Sequence, residues 1–97
     1  MQYTLSWSTL TPFPIIEYHL RYRKWSVLTS DNWWNIVVPE RKLPQHFIVI
    51  SEYTLRGILD KVTYEVKIAA VNIYGMGEWS KPTLFSVMRN GEIMCSN

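Results

Sequence analysis

The sequence predicts an all-β fold, a sandwich of two antiparallel sheets, on three observations. Apolar and polar residues alternate over residues 64–70, as in a strand with one face on a core. Gly57 lies seven residues before Tyr64, an arrangement typical of the tyrosine corner of sandwich proteins. Gly75 and Gly77 then permit a tight reversal into a second extended run. We therefore predict a hairpin at the centre of an antiparallel fold.

Length and composition set the limits of the interpretation. The 97 residues make one domain, with 47% hydrophobic and 19% charged residues, enough for a core. A net charge of +2 does not indicate a nucleic-acid partner. The single cysteine, Cys95, excludes an intrachain disulfide and leaves no basis for structural zinc. We see neither a signal peptide nor an apolar run of about 20 residues, so we expect no direct membrane insertion and a segment of a larger protein.

The first strand is predicted near the start of the chain. Tyr3, Leu5 and Trp7 alternate with small polar residues and share one face, so Trp7 is predicted to lie in the core rather than at a binding surface. Pro12 and Pro14 then forbid both helix and central strand, which predicts a loop.

The second strand is predicted over residues 16–23. Its inward residues include Leu20 and Tyr22, whereas Arg21 and Arg23 point outwards. His19 also lies on the outward side, with no second ligand at metal-binding spacing. The structural core predicted for the whole chain comprises Trp7, Leu20, Tyr22, Leu55, Tyr64, Val66 and Ile68.

Three tryptophans, Trp25, Trp33 and Trp34, lie before or at the start of a short predicted strand that ends at Pro39. Adjacent tryptophans in a strand point to opposite faces, so Trp33 and Trp34 cannot both face the core. Resemblance to a known family, described below, implies that Trp34 faces inward, which leaves Trp33 and Trp25 as candidates for exposure. Such aromatics either anchor an interface or lie over neighbouring arginine stems and shield the sheet.

The region around Tyr64 resembles the fibronectin type III family. The residues that carry the resemblance are Gly57-Ile58, Tyr64-Glu65-Val66-Lys67-Ile68, Ala70, Asn72, Gly75, Gly77 and Ser80. Asp60 and Val62 replace the usual proline and threonine before the tyrosine. The resemblance implies a domain over residues 1–88 and a flexible tail over 89–97. It is closest to domains of immunoglobulin-superfamily cell-adhesion and axon-guidance receptors, including insect-like ones.

The same resemblance implies that the first strand of the family is missing. Only six residues precede Trp7, and they already belong to what would be the second strand. We therefore expect six strands, with residues 3–7 at an exposed sheet edge through which the chain self-associates. In the family, the 16–23 strand lies beside the Tyr64 strand, so Arg21, Arg23, Glu65 and Lys67 share one outer face. That face is either solvated or a partner-binding patch.

The segment Gly77-Glu78-Trp79-Ser80 resembles half of the Trp-Ser-x-Trp-Ser box of cytokine-receptor domains. In that box, aromatic rings stack between cations of the neighbouring strand, so Trp79 is expected to stack on Lys67, Arg21 or Arg23, with direct ligand contact as the alternative. The candidates for partner binding are Arg21, Arg23, Trp25, Trp33, Lys67, Tyr74 and Trp79.

No pattern in the sequence indicates catalysis. His19 and His46 lack a nucleophile in a recognisable motif, and no phosphate-binding loop or calcium cluster is present. We therefore expect no enzyme activity and no cofactor. The resemblance implies an extracellular protein–protein interaction module of a cell-surface receptor, homophilic or heterophilic. The alternative is a structural spacer, of the intracellular muscle type or in an enzyme-linked receptor.

Overall fold

The structure is a computed structural model that describes residues 1–26, 32–40 and 48–96. The described residues form eight strands and two antiparallel sheets, which confirms the predicted sandwich. The strands are β1 (Gln2–Leu10), β2 (Glu17–Lys24), β3 (Trp34–Pro39), β4 (Ile48–Arg56), β5 (Tyr64–Asn72), β6 (Gly75–Met76), β7 (Thr83–Val87) and β8 (Ile93–Ser96).

The smaller sheet contains β1 and β4, and the larger contains the other six strands. The larger sheet has the order β3-β2-β5-β7-β8, and β6 pairs with β5. In the smaller sheet β1 pairs with β4 along all nine residues of each strand. Among the described residues, β4 is the strand that pairs with β1.

The core between the sheets is formed by alternate residues of the facing strands. Leu20, Leu55, Tyr64 and Val66 are buried, as predicted. Trp7, Tyr22 and Ile68 pack against this core but remain only partly buried, so the prediction that they belong to it holds for their contacts rather than for full burial. Trp7 has an open cleft on one side, and its indole N–H is buried without an acceptor in the described structure.

The tyrosine corner places Tyr64 under the chain that leaves β4. The Leu59 N–H donates to the Tyr64 hydroxyl over 3.1 Å, and only 2% of Tyr64 is exposed. The corner needs left-handed backbone at two positions, Gly57 with φ of 72° and Lys61 with φ of 61°. Lys61 is also anchored, because its N–H donates to the Val87 carbonyl over 3.0 Å.

The end of the chain differs from the flexible tail and the six strands that we expected. Residues 93–96 form β8, which pairs with β7 as the outer strand of the larger sheet. The turn between them is closed by Asn90, whose side-chain oxygen accepts from the Glu92 N–H over 3.0 Å, and by Gly91 with φ of 88°. Asn-Gly is a strong hairpin signal that the sequence interpretation overlooked. The short β6 is the other additional strand.

Several sequence expectations lie wholly or partly outside the described residues. The connection from Trp25 to Asn32 is described only at its two ends, and the polar loop after Glu40 is not described. His46 and Phe47 are also outside, so β4 is observed from Ile48 rather than from Phe47. Pro12 and Pro14 lie between β1 and β2, which confirms the predicted loop.

Candidate interaction face

The outer face of the larger sheet brings together cations that are distant in sequence. Strand pairing places Arg21 of β2 opposite Lys67 of β5 and, on its other side, opposite Asn35 of β3. Arg23 lies opposite Glu65 in the same way. Because cross-strand partners project from the same face, the side chains of β2, β3 and β5 form one surface.

Two tryptophan rings and three cations form a continuous stack on this surface, which we call the tryptophan–cation ladder. The Arg21 guanidinium carbon lies 4.7 Å from the centre of the Trp79 ring, and the Lys67 ammonium lies 5.0 Å from it. Lys67 is also 4.7 Å from the Trp33 ring, and the Arg23 guanidinium lies 4.0 Å from that ring. The cation–π contact predicted for Trp79 is therefore present. Its cations are Arg21 and Lys67, which are two of the three that the sequence suggested.

Hydrogen bonds orient the guanidinium groups of the ladder. Arg21 donates from Nε to the Asn35 side-chain oxygen, and Arg23 donates from Nε to Glu65, each over 2.5 Å. Glu65 is only 8% exposed, so its charge is compensated by an ion pair rather than by water. The ladder has three cations and one carboxylate partner, Glu65, so the ladder keeps an excess of positive charge.

The segment after the β5–β6 turn positions Trp79. The Gly77 N–H donates to the Ala70 carbonyl over 2.8 Å, and the Ser80 N–H donates to the Ile68 carbonyl over 2.8 Å. The Ser80 hydroxyl in turn accepts from the Ile68 N–H over 3.0 Å. The chain therefore follows β5 without forming a regular strand, and this path brings the Trp79 ring to the cations.

The structure does not bring all predicted partner-binding residues together. Trp25 follows the end of β2 and is 42% exposed, whereas Tyr74 is 75% exposed at the β5–β6 turn, edge-to-face with Phe13 at a ring separation of 5.2 Å. Trp34 packs against Tyr22 on the inner side of the sheet, as we expected, but 51% of the Trp34 side chain remains exposed. Trp33 stacks with the Arg23 guanidinium, which is the shielding arrangement that the sequence allowed as the alternative to an interface anchor.

Three residues that support the ladder were not selected from the sequence as site residues. Asn35 and Ser80 are uncharged, and Glu65 was noted only as part of a charged outer face. Asn35 could have been found by alternation, since it shares a side of its strand with Trp33. Ser80 could not, because its partner Ile68 is identified only by the path of the chain after the turn.

Histidine, cysteine and acidic side chains are scattered over the described residues. Within residues 1–26, 32–40 and 48–96 no group of three or more histidine, cysteine or acidic side chains could hold a metal ion. His19 is engaged with Glu17, its Nε2 lying 2.6 Å from the carboxylate. Across the same ranges, no helix has the length and apolar character needed to cross a membrane.

Comparison with known proteins agrees with this architecture. The model of the fibronectin type III domain matches residues 2–86, which is most of the chain. No curated protein matches the chain. The match covers the smaller sheet, the tyrosine corner, the ladder and the larger sheet as far as β7, whereas β8 lies beyond it. Domains of this kind are protein-interaction or structural modules. The chain belongs to the fibronectin type III family.

Proposed function

We propose that this domain is a non-catalytic, extracellular interaction module of a cell-adhesion or axon-guidance receptor, and that a protein partner binds the tryptophan–cation ladder. The observation that carries this proposal is the ladder itself. It places two indole rings and three cations on the outer face of a sheet, where the core does not need them.

The ladder has the features of a pre-organised binding surface. Tryptophan and arginine are the residues that most often dominate interface energies. Here their side chains are already ordered by stacking and by hydrogen bonds to Asn35 and Glu65, which reduces the entropy lost on binding. The excess positive charge favours a partner with an acidic surface, for which it also accelerates association.

A spacer function has one observation in its favour. The ladder is internally satisfied, because each ring contacts two cations and both arginines have polar partners. Such an arrangement also stiffens a sheet without any partner. A structural spacer, of the muscle type or in an enzyme-linked receptor, is therefore the second candidate.

Charge reversal distinguishes the two functions. Cells that display the parent protein with Arg21→Glu and Arg23→Glu are expected to lose aggregation or partner-cell binding, because the ladder loses two cations. Lys24→Glu is the matched control, since it reverses a neighbouring exposed charge at the end of β2 outside the ladder.

Thermal melting of each isolated variant shows whether its fold is retained. If the folded double variant binds as well as wild type, the ladder is not the partner-binding surface, and the spacer function is favoured. Antibody staining of intact and permeabilised cells tests extracellular display, since an intracellular spacer is stained only after permeabilisation.

A further inference from the structure

Two cross-strand pairs on the outer face of the larger sheet differ in charge. Arg23 of β2 lies directly opposite Glu65 of β5, and their side chains form an ion pair. Two positions away on the same strands, Arg21 lies directly opposite Lys67, so two positive charges face each other. Opposite charges in such positions stabilise a sheet, whereas like charges destabilise it. The Arg21–Lys67 pair is therefore a local departure from what stability alone would favour.

Neither cation of the Arg21–Lys67 pair is neutralised within the part of the domain that the structure describes. No carboxylate there lies within ion-pair distance of either side chain. Both cations instead approach the ring of Trp79, the Arg21 guanidinium carbon to 4.7 Å and the Lys67 ammonium to 5.0 Å. An indole ring attracts cations but has no net charge, so it reduces their repulsion without removing it. Such local departures are expected where a binding surface, rather than the fold, selects the residues.

The donor groups of this pair suit a carboxylate. Arg21 donates from Nε to the Asn35 side-chain oxygen, which orients the guanidinium plane and leaves its two terminal amino groups for another acceptor. These two groups form a fork that matches the two oxygens of a carboxylate. The Lys67 ammonium supplies a second positive charge at the same ring. Arg21, Lys67 and Trp79 are all partly exposed, so a group on a partner can reach them.

The small number of unpaired cations favours an acidic protein side chain over a sulfated polysaccharide. A polyanion gains affinity by neutralising many cations at once. In the ladder, Arg23 is already neutralised by Glu65, which leaves the two cations of the Arg21–Lys67 pair. Two adjacent cations are enough to hold one carboxylate, but they offer little to a long sulfated chain.

We propose that Arg21 and Lys67 bind a carboxylate beside the Trp79 ring, and that an aspartate or glutamate side chain of the partner protein supplies it. This inference rests on the proposed function and deepens it, because it assigns unequal roles to the cations of the ladder. Arg21 and Lys67 hold the partner's carboxylate, whereas the main role of Arg23 is to compensate Glu65. The bound carboxylate places a negative charge beside two positive ones and offsets their repulsion.

The test uses a tetraglutamate peptide with blocked ends as the probe, and the corresponding tetraglutamine peptide as the uncharged comparison. Heteronuclear NMR of this chain measures binding at about 10–20 mM salt, where charges are weakly screened. We expect the glutamate peptide, and not the glutamine peptide, to shift the indole N–H signal of Trp79. Arg21→Gln and Lys67→Gln should each weaken this binding at least about tenfold, since each removes a charge-assisted hydrogen bond.

Two further variants separate the pair from the general charge of the domain. Lys24→Gln is the matched control, because it removes one exposed positive charge at the end of β2 outside the ladder, and it should change binding less than about twofold. Arg23→Gln with Glu65→Gln removes the ion pair without changing the net charge, and it should weaken binding less than Arg21→Gln or Lys67→Gln does. Near-ultraviolet circular dichroism verifies the fold of each variant.

Three results would overturn the proposal. One is equal binding of the glutamate peptide by wild type and by Arg21→Gln or Lys67→Gln. Another is an equal loss in Lys24→Gln, which would attribute the attraction to net charge. The third is a heparin tetrasaccharide that binds more tightly than the peptide and loses affinity in the same two variants, which would assign the site to a sulfated polysaccharide.

Failure of this proposal is distinguishable from failure of the proposed function. If charge reversal in the ladder abolishes cell binding but the glutamate peptide does not bind, the carboxylate assignment alone is refuted. If cell binding survives charge reversal, the ladder is not the partner-binding surface, whatever the peptide does.

Discussion

Removing one hydroxyl, by Tyr64→Phe, tests how much the tyrosine corner contributes to stability. The phenylalanine ring keeps the packing of Tyr64 against Phe85, whose ring centre lies 5.6 Å away. What is lost is the hydrogen bond from the Leu59 N–H over 3.1 Å. A net hydrogen bond is worth about 0.5–1.5 kcal/mol, and a buried unsatisfied donor costs about 1–3 kcal/mol.

Leu59 is half exposed, so water partly replaces the lost acceptor and the lower part of that range applies. We expect the free energy of unfolding to fall by about 1–2 kcal/mol and Tm by roughly 5–10 °C. Urea denaturation followed by tryptophan fluorescence measures the loss, and an unchanged m-value shows that the transition remains comparable.

Tyr22→Phe is the matched control for this measurement. Tyr22 lies in the same aromatic cluster, with its ring centre 6.4 Å from that of Tyr64, but its hydroxyl has no hydrogen-bond partner among the described residues. Removing that hydroxyl should change stability much less. If the two variants lose the same free energy within about 0.3 kcal/mol, the hydrogen bond to Leu59 does not stabilise the corner and our reasoning is wrong.

The remaining predictions concern Trp7, Lys61 and Tyr3. Trp7→Ala should lower the free energy of unfolding by about 2–3 kcal/mol in urea denaturation. This is less than the roughly 3–5 kcal/mol of a fully buried aromatic, because one side of Trp7 faces the cleft. A loss below about 1 kcal/mol would place Trp7 outside the core. Lys61→Gly should raise the free energy of unfolding by about 0.5–1 kcal/mol, since a backbone φ of 61° is unfavourable for a residue with a side chain. Lys61→Ala is the control because alanine keeps the unfavourable backbone, and an equal gain in the alanine variant would contradict the explanation. Burial first, then the hydrogen bond to Cys95 and its charge, raise the pKa of Tyr3 to about 12. The unfolded chain thus loses this proton first, and stability should fall as pH rises from about 10 to 12; Tyr3→Phe should reduce that fall in alkaline unfolding curves, and an identical fall would refute the assignment.

The sequence by itself determined six of the eight described strands and which way most of their side chains point. Alternation is a local property of extended chain, so the outward direction of Arg21 and Lys67 and the inward direction of Leu20 and Val66 could be predicted from residues a few positions apart. The corner at Tyr64 could be predicted for the same reason. The turn at Asn90-Gly91 was equally local, and it was overlooked rather than hidden.

Only the tertiary structure decided how deeply each side chain is buried and which distant residues meet. Trp7 points inward, but its exposure depends on whether another strand covers the cleft beside β1, and no pattern within residues 3–7 contains that information. Trp33 and Trp79 are 46 positions apart in the chain and share Lys67, because strand pairing and the path after β5 place both rings on one face. Such contacts depend on sheet order and register, which are set by long-range packing and not by the local residue pattern.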